Sequence, residues 1–236
     1  MARFKRILLK LSGEMLKGPA GGIDPDSVLA AANRIKEAVD KGVQVAIIIG
    51  AGNLFRGLAG SRTGMDRTCA DQMGMLATAM NALAMRDALE SLGIKAEIQS
   101  AFAIAGVLKP FDQREACRLL DEGTIVLFAA GTGHPYFTTD TTAALRACEI
   151  KADAVFKGTK VDGIYDSDPF KNPNAKRYET ITFSQALADR LNVMDSTAFS
   201  LCQDNNLQIM VFKFGVPGVL GNIMDGDLSA ATLVTL

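Results

Sequence analysis

Short apolar runs alternate along the chain with longer segments of helical period. Seven runs predict strands: RILLKLS (6–12), VQVAIII (43–49), KAEIQS (95–100), TIVLFAA (124–130), AVFKG (154–158), QIMVFKF (208–214) and ATLVTL (231–236). The stretches IVLF and VAIII are apolar on both faces, which is typical of strands covered by helices on both sides. The alternation predicts an α/β protein, a three-layer α/β/α sandwich around a mainly parallel sheet.

Capping residues mark where helices begin between these strands. Asp24 stands before Pro25, which places a capping side chain ahead of a proline at the first helical position, and Gly42 ends that helix. Two further starts carry capping pairs, Asp112 with Glu115 and Thr182 with Gln185. Asp195 also has the features of a helix N-cap.

A longer helix is predicted from about residue 66 to 92, with an apolar stripe on one face. The stripe consists of Cys69, Met73, Leu76, Met80 and Leu83. We interpret it as core packing, with a subunit interface as the alternative that is compatible with it.

The amino-acid composition and net charge limit the classes of protein to which the chain can belong. The 236 residues are 48% hydrophobic and 22% charged, enough for a large core in one sizeable α/β domain. The net charge is −1 without blocks of like charge, which disfavours a nucleic-acid binder because neutralising phosphates needs a basic excess.

Cysteine usage and the N-terminus indicate a cytoplasmic protein without structural zinc. The four cysteines are far apart, form no CxxC, and have one histidine in the chain to help bind a metal. We expect reduced, mostly buried thiols. The segment MARFKRILLKLSGE has an apolar run that is too short for a signal peptide or a membrane span.

Glycines and basic residues concentrate where four predicted strands end. The segments are 10–14, 50–57, 131–140 and 157–169. Parallel sheets bind ligands at the carboxyl ends of their strands, and glycines there let backbone N–H groups approach an anion. Four basic side chains add charge: Lys10, Arg56, Lys157 and Lys160. These features predict a polyphosphate site.

Two common nucleotide-binding motifs are absent. GAGNLFRG begins like a dinucleotide-binding turn, but Phe55 stands where G-x-G-x-x-G requires glycine. No G-x-x-x-x-G-K-[ST] occurs, which excludes a P-loop NTPase on pattern.

The third glycine-rich loop ends in Thr138, Thr139 and Asp140, before a helix predicted from about residue 141 to 151. Capping by Thr139 or Asp140 is one explanation of these residue types. The functional alternative is that the threonine hydroxyls and the helix N-terminus face a phosphorylated ligand.

Five segments, in this order and spacing, resemble bacterial uridylate (UMP) kinases of the amino-acid-kinase superfamily. They are KRILLKLSGE, IIGAGNLFRG, ADQMGMLATAMNALAMRDAL, AGTGHPYFTTD and KGTKVDGIYDSDP. The first two occur across the superfamily, whereas the DQMGMLAT helix start and the TG-x-P-x-FTTD loop are specific to the uridylate branch. The similarity runs from about residue 5 to the C-terminus.

The resemblance implies a phosphotransferase that moves the γ-phosphoryl group of ATP to UMP, with Mg²⁺, in pyrimidine biosynthesis. It implies one domain over residues 1–236, with an acceptor-binding half at about 1–150 and an ATP-binding half at about 151–236. Family members are typically cytoplasmic homohexamers, activated by GTP and inhibited by UTP.

Site residues follow from the same resemblance, position by position. The residues implied for ATP are Lys10, Leu11, Ser12, Gly13, Gly52, Arg56, Thr159, Tyr165 and Asp168. Those implied for UMP are Ala51, Asp71, Thr132, Gly133, His134, Pro135, Tyr136, Phe137, Thr138 and Thr139. A carboxylate suits hydroxyl donors and repels phosphate, so Asp71 is expected at the ribose, although an acidic residue early in a helix also favours the macrodipole.

Three positions depart from the family pattern. Ala51 replaces a glycine, which is tolerable only if its φ is negative. His134 replaces an asparagine. Segment 18–22 aligns with the family's GTP-effector region and is about one residue shorter than in some members.

The chemistry argues against His134 as a general base. The second pKa of a phosphate monoester is about 6, so UMP is largely dianionic at neutral pH and has almost no proton to lose. We therefore predict a hydrogen-bonding or packing role for His134 in the acceptor loop.

Lys10, Arg56 and Asp140 are the predicted catalytic residues. The two cations suit the charge that spreads over the transferred group. Asp140 is expected to organise the transfer, through Mg²⁺ or by orienting Lys10, with a helix cap as its alternative.

Two other functions remain open at this stage. One is another kinase of the superfamily, acting on carbamate, acetylglutamate or aspartate. The other is a non-catalytic nucleotide sensor, which the presence of all three predicted catalytic residues disfavours.

Overall fold

The computed structural model describes residues 3–55, 64–191 and 193–236. In these ranges the strands are β1 (Arg6–Leu11), β2 (Gln44–Ile49), β3 (Ala96–Ser100), β4 (Lys109–Pro110), β5 (Ile125–Ala129), β6 (Ala154–Thr159), β7 (Thr180–Thr182), β8 (Gln208–Lys213) and β9 (Ala231–Thr235). The helices are α1 (Pro25–Val39), α2 (Arg67–Ser91), α3 (Gln113–Asp121), α4 (Thr139–Glu149), α5 (Phe183–Ala188), α6 (Ser196–Asp204) and α7 (Val219–Met224), with a 3₁₀ helix at Gly13–Leu16. None of them is both long and apolar enough to cross a membrane.

The described strands form one sheet in the order β4-β3-β5-β2-β1-β6-β8-β9-β7. Neighbouring strands are parallel except for the antiparallel pair β8 and β9. The predicted mainly parallel sheet is therefore confirmed. Because β5, β2, β1 and β6 are consecutive in the sheet, the four loops that follow them emerge side by side at one edge.

Helices cover both faces of the sheet, so alternate residues of each central strand enter different cores. Leu9 of β1 and Ile47 of β2 pack on one side with residues of α1, α2 and α7. Leu8 and Ile48 pack on the other side with residues of α3, α4, α5 and α6. The two buried faces account for the continuous apolar runs and confirm the three-layer sandwich.

All seven predicted strands are present, with ends that differ by at most one residue from the prediction. The strands β4 and β7 were missed. They contain two and three residues, which is too short to show an alternating pattern. Both lie at the margins of the sheet, where short strands limit edge-to-edge pairing.

The predicted caps at Asp24, Asp112, Thr182 and Asp195 are confirmed, since each side chain accepts a hydrogen bond from a backbone N–H of the following first turn. The cap predicted for α4 was wrong. This helix begins at Thr139, and its cap is Thr138, whose hydroxyl accepts from the N–H groups of Asp140 (3.0 Å) and Thr141 (3.3 Å).

The apolar stripe on α2 faces outward. Met73, Leu76 and Met80 are 40%, 50% and 54% exposed, Cys69 is exposed, and Leu83 is half-buried. The interpretation as core packing was therefore wrong for the four exposed residues and holds only for Leu83, which packs against the core. Helical periodicity identifies an apolar face without showing what covers it. An exposed apolar stripe is typical of a contact surface, which keeps the subunit-interface alternative open.

All four cysteines are free, as predicted. Their burial is lower than expected: Cys202 is buried, Cys117 and Cys148 are half-buried, and Cys69 is exposed on α2.

Candidate active site

The loops after β1 and β2 pack backbone against backbone. A Cβ atom on Gly13 would lie 2.3 Å from the carbonyl oxygen of Gly50 and 2.4 Å from Oδ1 of Asn53. The N–H of Gly50 also donates to the carbonyl oxygen of Leu11 at 2.9 Å. Glycine at position 13 is therefore a steric requirement, and it brings both loops to the same point of the sheet edge.

A buried pair of asparagines holds the second loop to α2. Nδ2 of Asn53 donates to Oδ1 of Asn81 at 2.9 Å, and Nδ2 of Asn81 donates back to Oδ1 of Asn53 at 2.8 Å. The same two nitrogens also reach the carbonyl oxygens of Gly22 (3.0 Å) and Gly50 (2.8 Å). Both amide groups thus use their full donor capacity, which ties the chain around residue 22, the second loop and α2 together.

A cavity opens between α2 and the loops that follow β2 and β5. It is lined by Ala51, Phe55, Asp71, Gly74, Met75, Thr78, Gly131, Thr132, His134, Phe137, Thr138 and Thr139. Seven of the ten residues predicted to bind UMP are in this set. The other three, Gly133, Pro135 and Tyr136, belong to the same loop but do not line the cavity. We call this space the acceptor cavity.

Asp71 holds the loop after β5 in shape. Its Oδ2 accepts from the backbone N–H of Tyr136 and from Nε of Arg67, each at 2.8 Å. The guanidinium of Arg67 lies over the Tyr136 ring, 5.2 Å from its centroid. Tyr136 has a φ of 72°, an unfavourable conformation for a residue with a side chain, and these contacts stabilise it. The carboxylate therefore both shapes the loop and borders the acceptor cavity.

The structure accommodates Ala51 and His134. Ala51 is not among the five non-glycine residues with positive φ in the described chain, so its methyl group causes no strain of that kind. His134 is exposed, and its backbone is hydrogen-bonded to Thr132. The N–H of His134 donates to Oγ1 of Thr132 at 3.2 Å, and the Thr132 hydroxyl is 3.3 Å from the carbonyl oxygen of His134.

The first turns of α4 and α6 lie side by side next to the acceptor cavity. The hydroxyl of Thr138, the cap of α4, donates to the carboxylate of Asp195, the cap of α6. Oγ1 of Thr141 contacts the same carboxylate at 3.1 Å. Two helix N-termini therefore lie next to the acceptor cavity, and the dipole at a helix N-terminus favours a bound anion.

Asp140 lies in the first turn of α4, between lysines of two neighbouring strands. Its Oδ1 is 2.6 Å from Nζ of Lys10, and its Oδ2 accepts a hydrogen bond of 2.7 Å from Nζ of Lys157. Nζ of Lys157 also donates to the carbonyl oxygen of Val193 at 2.6 Å. The three charged side chains are 13–17% exposed. We call them the lysine–aspartate cluster.

The pKa values of the cluster reflect burial opposed by ion pairing. Burial disfavours the ionised form of Asp140, but the two ammonium groups outweigh it and hold the pKa of the carboxyl below its usual range. Burial lowers the pKa of Lys157, and Asp140 opposes that effect. The helix-cap alternative for Asp140 is wrong, because Thr138 caps the helix and Asp140 contacts Lys10 directly, as the orienting role requires.

A second cavity extends from Lys157 along the loop after β6, and we call it the donor cavity. It contains Thr159, Tyr165 and Asp168, three of the residues predicted to bind ATP. Its apolar lining includes Ile164, Leu191, Val193 and Val211. The Tyr165 hydroxyl donates to Oδ1 of Asp162 at 2.6 Å, which raises the pKa of the tyrosine.

Of the other residues predicted to bind ATP, Ser12, Gly13 and Gly52 lie in the loops after β1 and β2, which pack together. Ser12 caps the 3₁₀ helix, and the N–H of Gly52 would be 2.9 Å from a Cβ on Gly13. The side chain of Leu11 is buried in the core, so this residue presents only its backbone. Arg56 lies outside the described residues.

The described side chains do not form a magnesium site of their own. No group of three or more histidine, cysteine, aspartate or glutamate residues in the described ranges is arranged to hold a metal ion. Both oxygens of Asp140 contact ammonium groups, whereas a magnesium ligand needs its oxygens free for the ion.

Comparison with known proteins identifies the family to which the chain belongs. The sequence profile described as the amino acid kinase family matches residues 5–213. The chain belongs to the amino acid kinase family. A curated uridylate kinase from Zymomonas mobilis is 52% identical over 226 residues, which are 95% of this chain and 93% of that protein.

Solved structures of UMP kinases match nearly the whole length of this amino acid kinase. The UMP kinase of Bacillus anthracis has a TM-score of 0.94 at 36% identity, covering 98% of this chain and 96% of the other. The UMP kinase of Ureaplasma parvum has a TM-score of 0.92 at 38% identity, covering 99% and 100%. The predicted resemblance to bacterial uridylate kinases is thereby confirmed.

Sequence reasoning missed several residues of this amino acid kinase that shape the site. Asn53 and Asn81 give no local signal, because they become partners only when α2 packs on the second loop. Lys157 was predicted as a positive charge, but its contact with Asp140 was not. Its position in β6, paired in register with Lys10 of β1, is the signal that could have revealed it.

Asp140→Asn should make the free energy of unfolding less dependent on pH in the acidic range. The folded-state pKa of Asp140 is lowered, so its ionised form stabilises the wild type above the unfolded value of about 3.9. This contribution is lost as the pH falls through the lowered folded value. Urea unfolding at several pH values from about 6 down to about 2 measures it. The difference in unfolding free energy between the two proteins should shrink on acidification, and a constant difference would contradict the ion-pair assignment.

Proposed function

We propose that this amino acid kinase transfers the γ-phosphoryl group of ATP to UMP, giving ADP and UDP. The observation that carries the proposal is that the lysine–aspartate cluster adjoins both cavities: Lys157 lines the donor cavity, and Asp140 directly follows Thr138 and Thr139, which line the acceptor cavity. Direct transfer between two bound nucleotides needs such an arrangement, in which positively charged groups stand where the two ligands meet. The similarity to uridylate and UMP kinases over nearly the whole chain supports this pair of substrates.

We assign the acceptor half to residues of about 1–150 and the ATP half to about 151–236. In the acceptor cavity, Asp71 binds the ribose hydroxyls of UMP, and the first turn of α4 faces its phosphate. The ATP phosphates lie along segment 10–13 with Gly52 and Arg56. The adenosine part occupies the donor cavity.

In this arrangement catalysis rests on position and charge. Lys10 neutralises the charge that spreads over the transferred group, and Asp140 fixes its ammonium group at 2.6 Å. The phosphate of UMP is largely dianionic at neutral pH, since its second pKa is about 6, so its oxygen attacks without a general base. Binding and orienting the two phosphates is therefore the main task of the protein.

Mg²⁺ enters the reaction as part of the substrate, bound mainly by the ATP phosphates. The described side chains supply no carboxylate cluster for it. A magnesium–ATP complex carries less negative charge than free ATP, and the ion orients the phosphate chain for transfer.

Two alternatives fit the acceptor cavity less well. An acetylglutamate or aspartate kinase binds a small acidic acceptor that has no planar base. The apolar side chains of Phe55, Met75 and Phe137 suit the planar base of a nucleotide better. A non-catalytic nucleotide sensor would have no use for a buried lysine–aspartate cluster, which costs desolvation.

An acceptor panel with magnesium–ATP tests the proposed reaction. We expect rapid ADP formation with UMP, and little with carbamate, acetylglutamate or aspartate, in a coupled assay. ADP formation with one of the other acceptors but not with UMP would establish that alternative. Calorimetric binding of UMP and ATP without ADP formation would establish the sensor.

His134→Asn should retain most of the activity, within about threefold, because the imidazole has no proton to transfer in this reaction. Steady-state kinetics with saturating ATP and UMP check this at a fixed pH. A pH profile alone is unsuitable, since the acceptor phosphate titrates in the same range as imidazole. A loss of about 10²-fold or more, the scale of a general base, would contradict the assignment.

We also propose a cytoplasmic homohexamer with GTP as activator and UTP as inhibitor, without nucleic-acid or membrane partners. The exposed stripe on α2 supports self-association, since Leu76 and Met80 are half exposed on a helix that borders the acceptor cavity. The net charge of −1 offers no basic excess for nucleic acid.

Leu76→Glu should weaken the assembly, because a charge would be buried in the subunit contact. Leu187→Glu is the matched control, since Leu187 is also 50% exposed but lies on α5. Sedimentation velocity, with and without UTP or GTP, measures the effect. An assembly that withstands Leu76→Glu and dissociates with Leu187→Glu would place the contact elsewhere.

A further inference from the structure

Phe170 is the most exposed large apolar side chain among the described residues, with 78% of its surface accessible to solvent. It lies in the loop after β6 and belongs to the lining of the donor cavity. The aromatic pairs found in the described ranges are all made by other phenylalanines. An apolar ring at the rim of a ligand cavity gains contact area when a ligand covers it.

A closed turn holds the backbone of Phe170 at this rim. Oδ1 of Asp168 accepts a hydrogen bond from the N–H of Phe170 at 2.9 Å. The carbonyl oxygen of Asp168 accepts from the N–H groups of Lys171 (3.0 Å) and Asn172 (2.8 Å). Nδ2 of Asn172 also donates to Oγ of Ser167 at 2.9 Å. The turn is therefore fixed by its own hydrogen bonds, whereas the ring that it carries is left in solvent.

The charges of the donor cavity indicate which part of ATP lies near this turn. Lys157, a member of the lysine–aspartate cluster, lines the cavity where it begins. Asp166 and Asp168 flank Phe170 in the loop, and Asp189 with the neighbouring Arg190 comes from the end of α5. Carboxylates repel phosphate groups, so the phosphates lie towards Lys157 and the nucleoside lies towards the loop.

The base is the part of the nucleoside that a phenyl ring can bind. A phenyl ring has no charge and no hydrogen-bond donor, whereas every nucleobase presents a π face to an aromatic side chain. The cavity also contains Ile164, Val193 and Val211, which are buried and suit one face of a base. The second face would then point to solvent, and this is where the exposed ring of Phe170 lies.

We propose that Phe170 is a substrate-binding residue for ATP, whose ring stacks on the adenine base and covers it from solvent. The inference rests on the proposed UMP kinase function and names a further residue for its phosphoryl donor. Stacking uses the face of the base and is tolerant of its hydrogen-bonding groups. Phe170 therefore contributes affinity for the donor nucleotide and takes no part in the transfer step.

Phe170→Ala tests the proposal in steady-state kinetics. We expect the KM for ATP to rise by about tenfold, the scale of one lost base–aromatic contact, with kcat and the KM for UMP within about twofold of wild type. Phe170→Tyr keeps the ring and should keep the KM for ATP. Lys171→Ala is the matched control, because Lys171 is the next residue of the turn, its side chain is 85% exposed, and it does not line the donor cavity.

A fluorescence titration tests the base contact directly. The chain contains no tryptophan, so Phe170→Trp introduces a single indole at the position in question. Magnesium–ATP should quench its fluorescence, because the base stacks on the indole. Magnesium tripolyphosphate carries the phosphates without the nucleoside and should leave the fluorescence unchanged. This measurement needs no acceptor and is therefore independent of the reaction with UMP.

Three results would overturn the base contact. They are a rise of less than about threefold in the KM for ATP of Phe170→Ala, no quenching of Phe170→Trp by magnesium–ATP, and equal quenching by tripolyphosphate. An altered sedimentation coefficient of Phe170→Ala with an unchanged KM for ATP would place the ring in a subunit contact instead. A wild-type protein that forms no ADP with UMP would refute the proposed function, while quenching by ATP alone would still support the base contact.

Discussion

The parallel pairing of β1 with β2 on one side and β6 on the other is the constraint on which the site depends. It places Lys10 beside Ile48 and Lys157 and brings three strand ends to one edge. A shift of β6 by one residue would turn Lys157 towards the opposite core, since side chains alternate between the two faces. The apolar residues of β1 and β6 enforce the register, because both faces of the sheet are buried.

The lysine–aspartate cluster contains the side chains that the fold positions for the proposed chemistry. Asp140 is close to both lysines because α4 begins at Thr139, directly after a loop shaped by the contact of Asp71 with Tyr136. Thr138 caps this helix and also contacts Asp195, so the starts of α4 and α6 are linked. A change in the conformation of the loop after β5 would therefore shift the charged side chains that act on the phosphates.

The features that depend on a few neighbouring residues were predicted well from the sequence. The central strands, the caps at Asp24 and Asp112, and the glycine-rich strand ends follow from patterns within a few residues. The cap of α4 was misplaced because three capping-competent residues are consecutive, and only the backbone path decides which side chain reaches the free N–H groups. The α2 stripe was misjudged because amphipathicity does not identify the surface that covers a face.

The sequence by itself determined the fold class, the loops in which the site lies and the resemblance to uridylate kinases, because hydrophobic period, turn chemistry and motif spacing are local properties. The tertiary structure alone decided that Asp140 is shared by Lys10 and Lys157, and that Asn53 and Asn81 form a closed amide pair. Along the chain, Asp140 is 130 residues from Lys10 (140 − 10) and 17 from Lys157, and the two asparagines are 28 residues apart. Such contacts form only when the parallel strands and the helices packed on them are brought together.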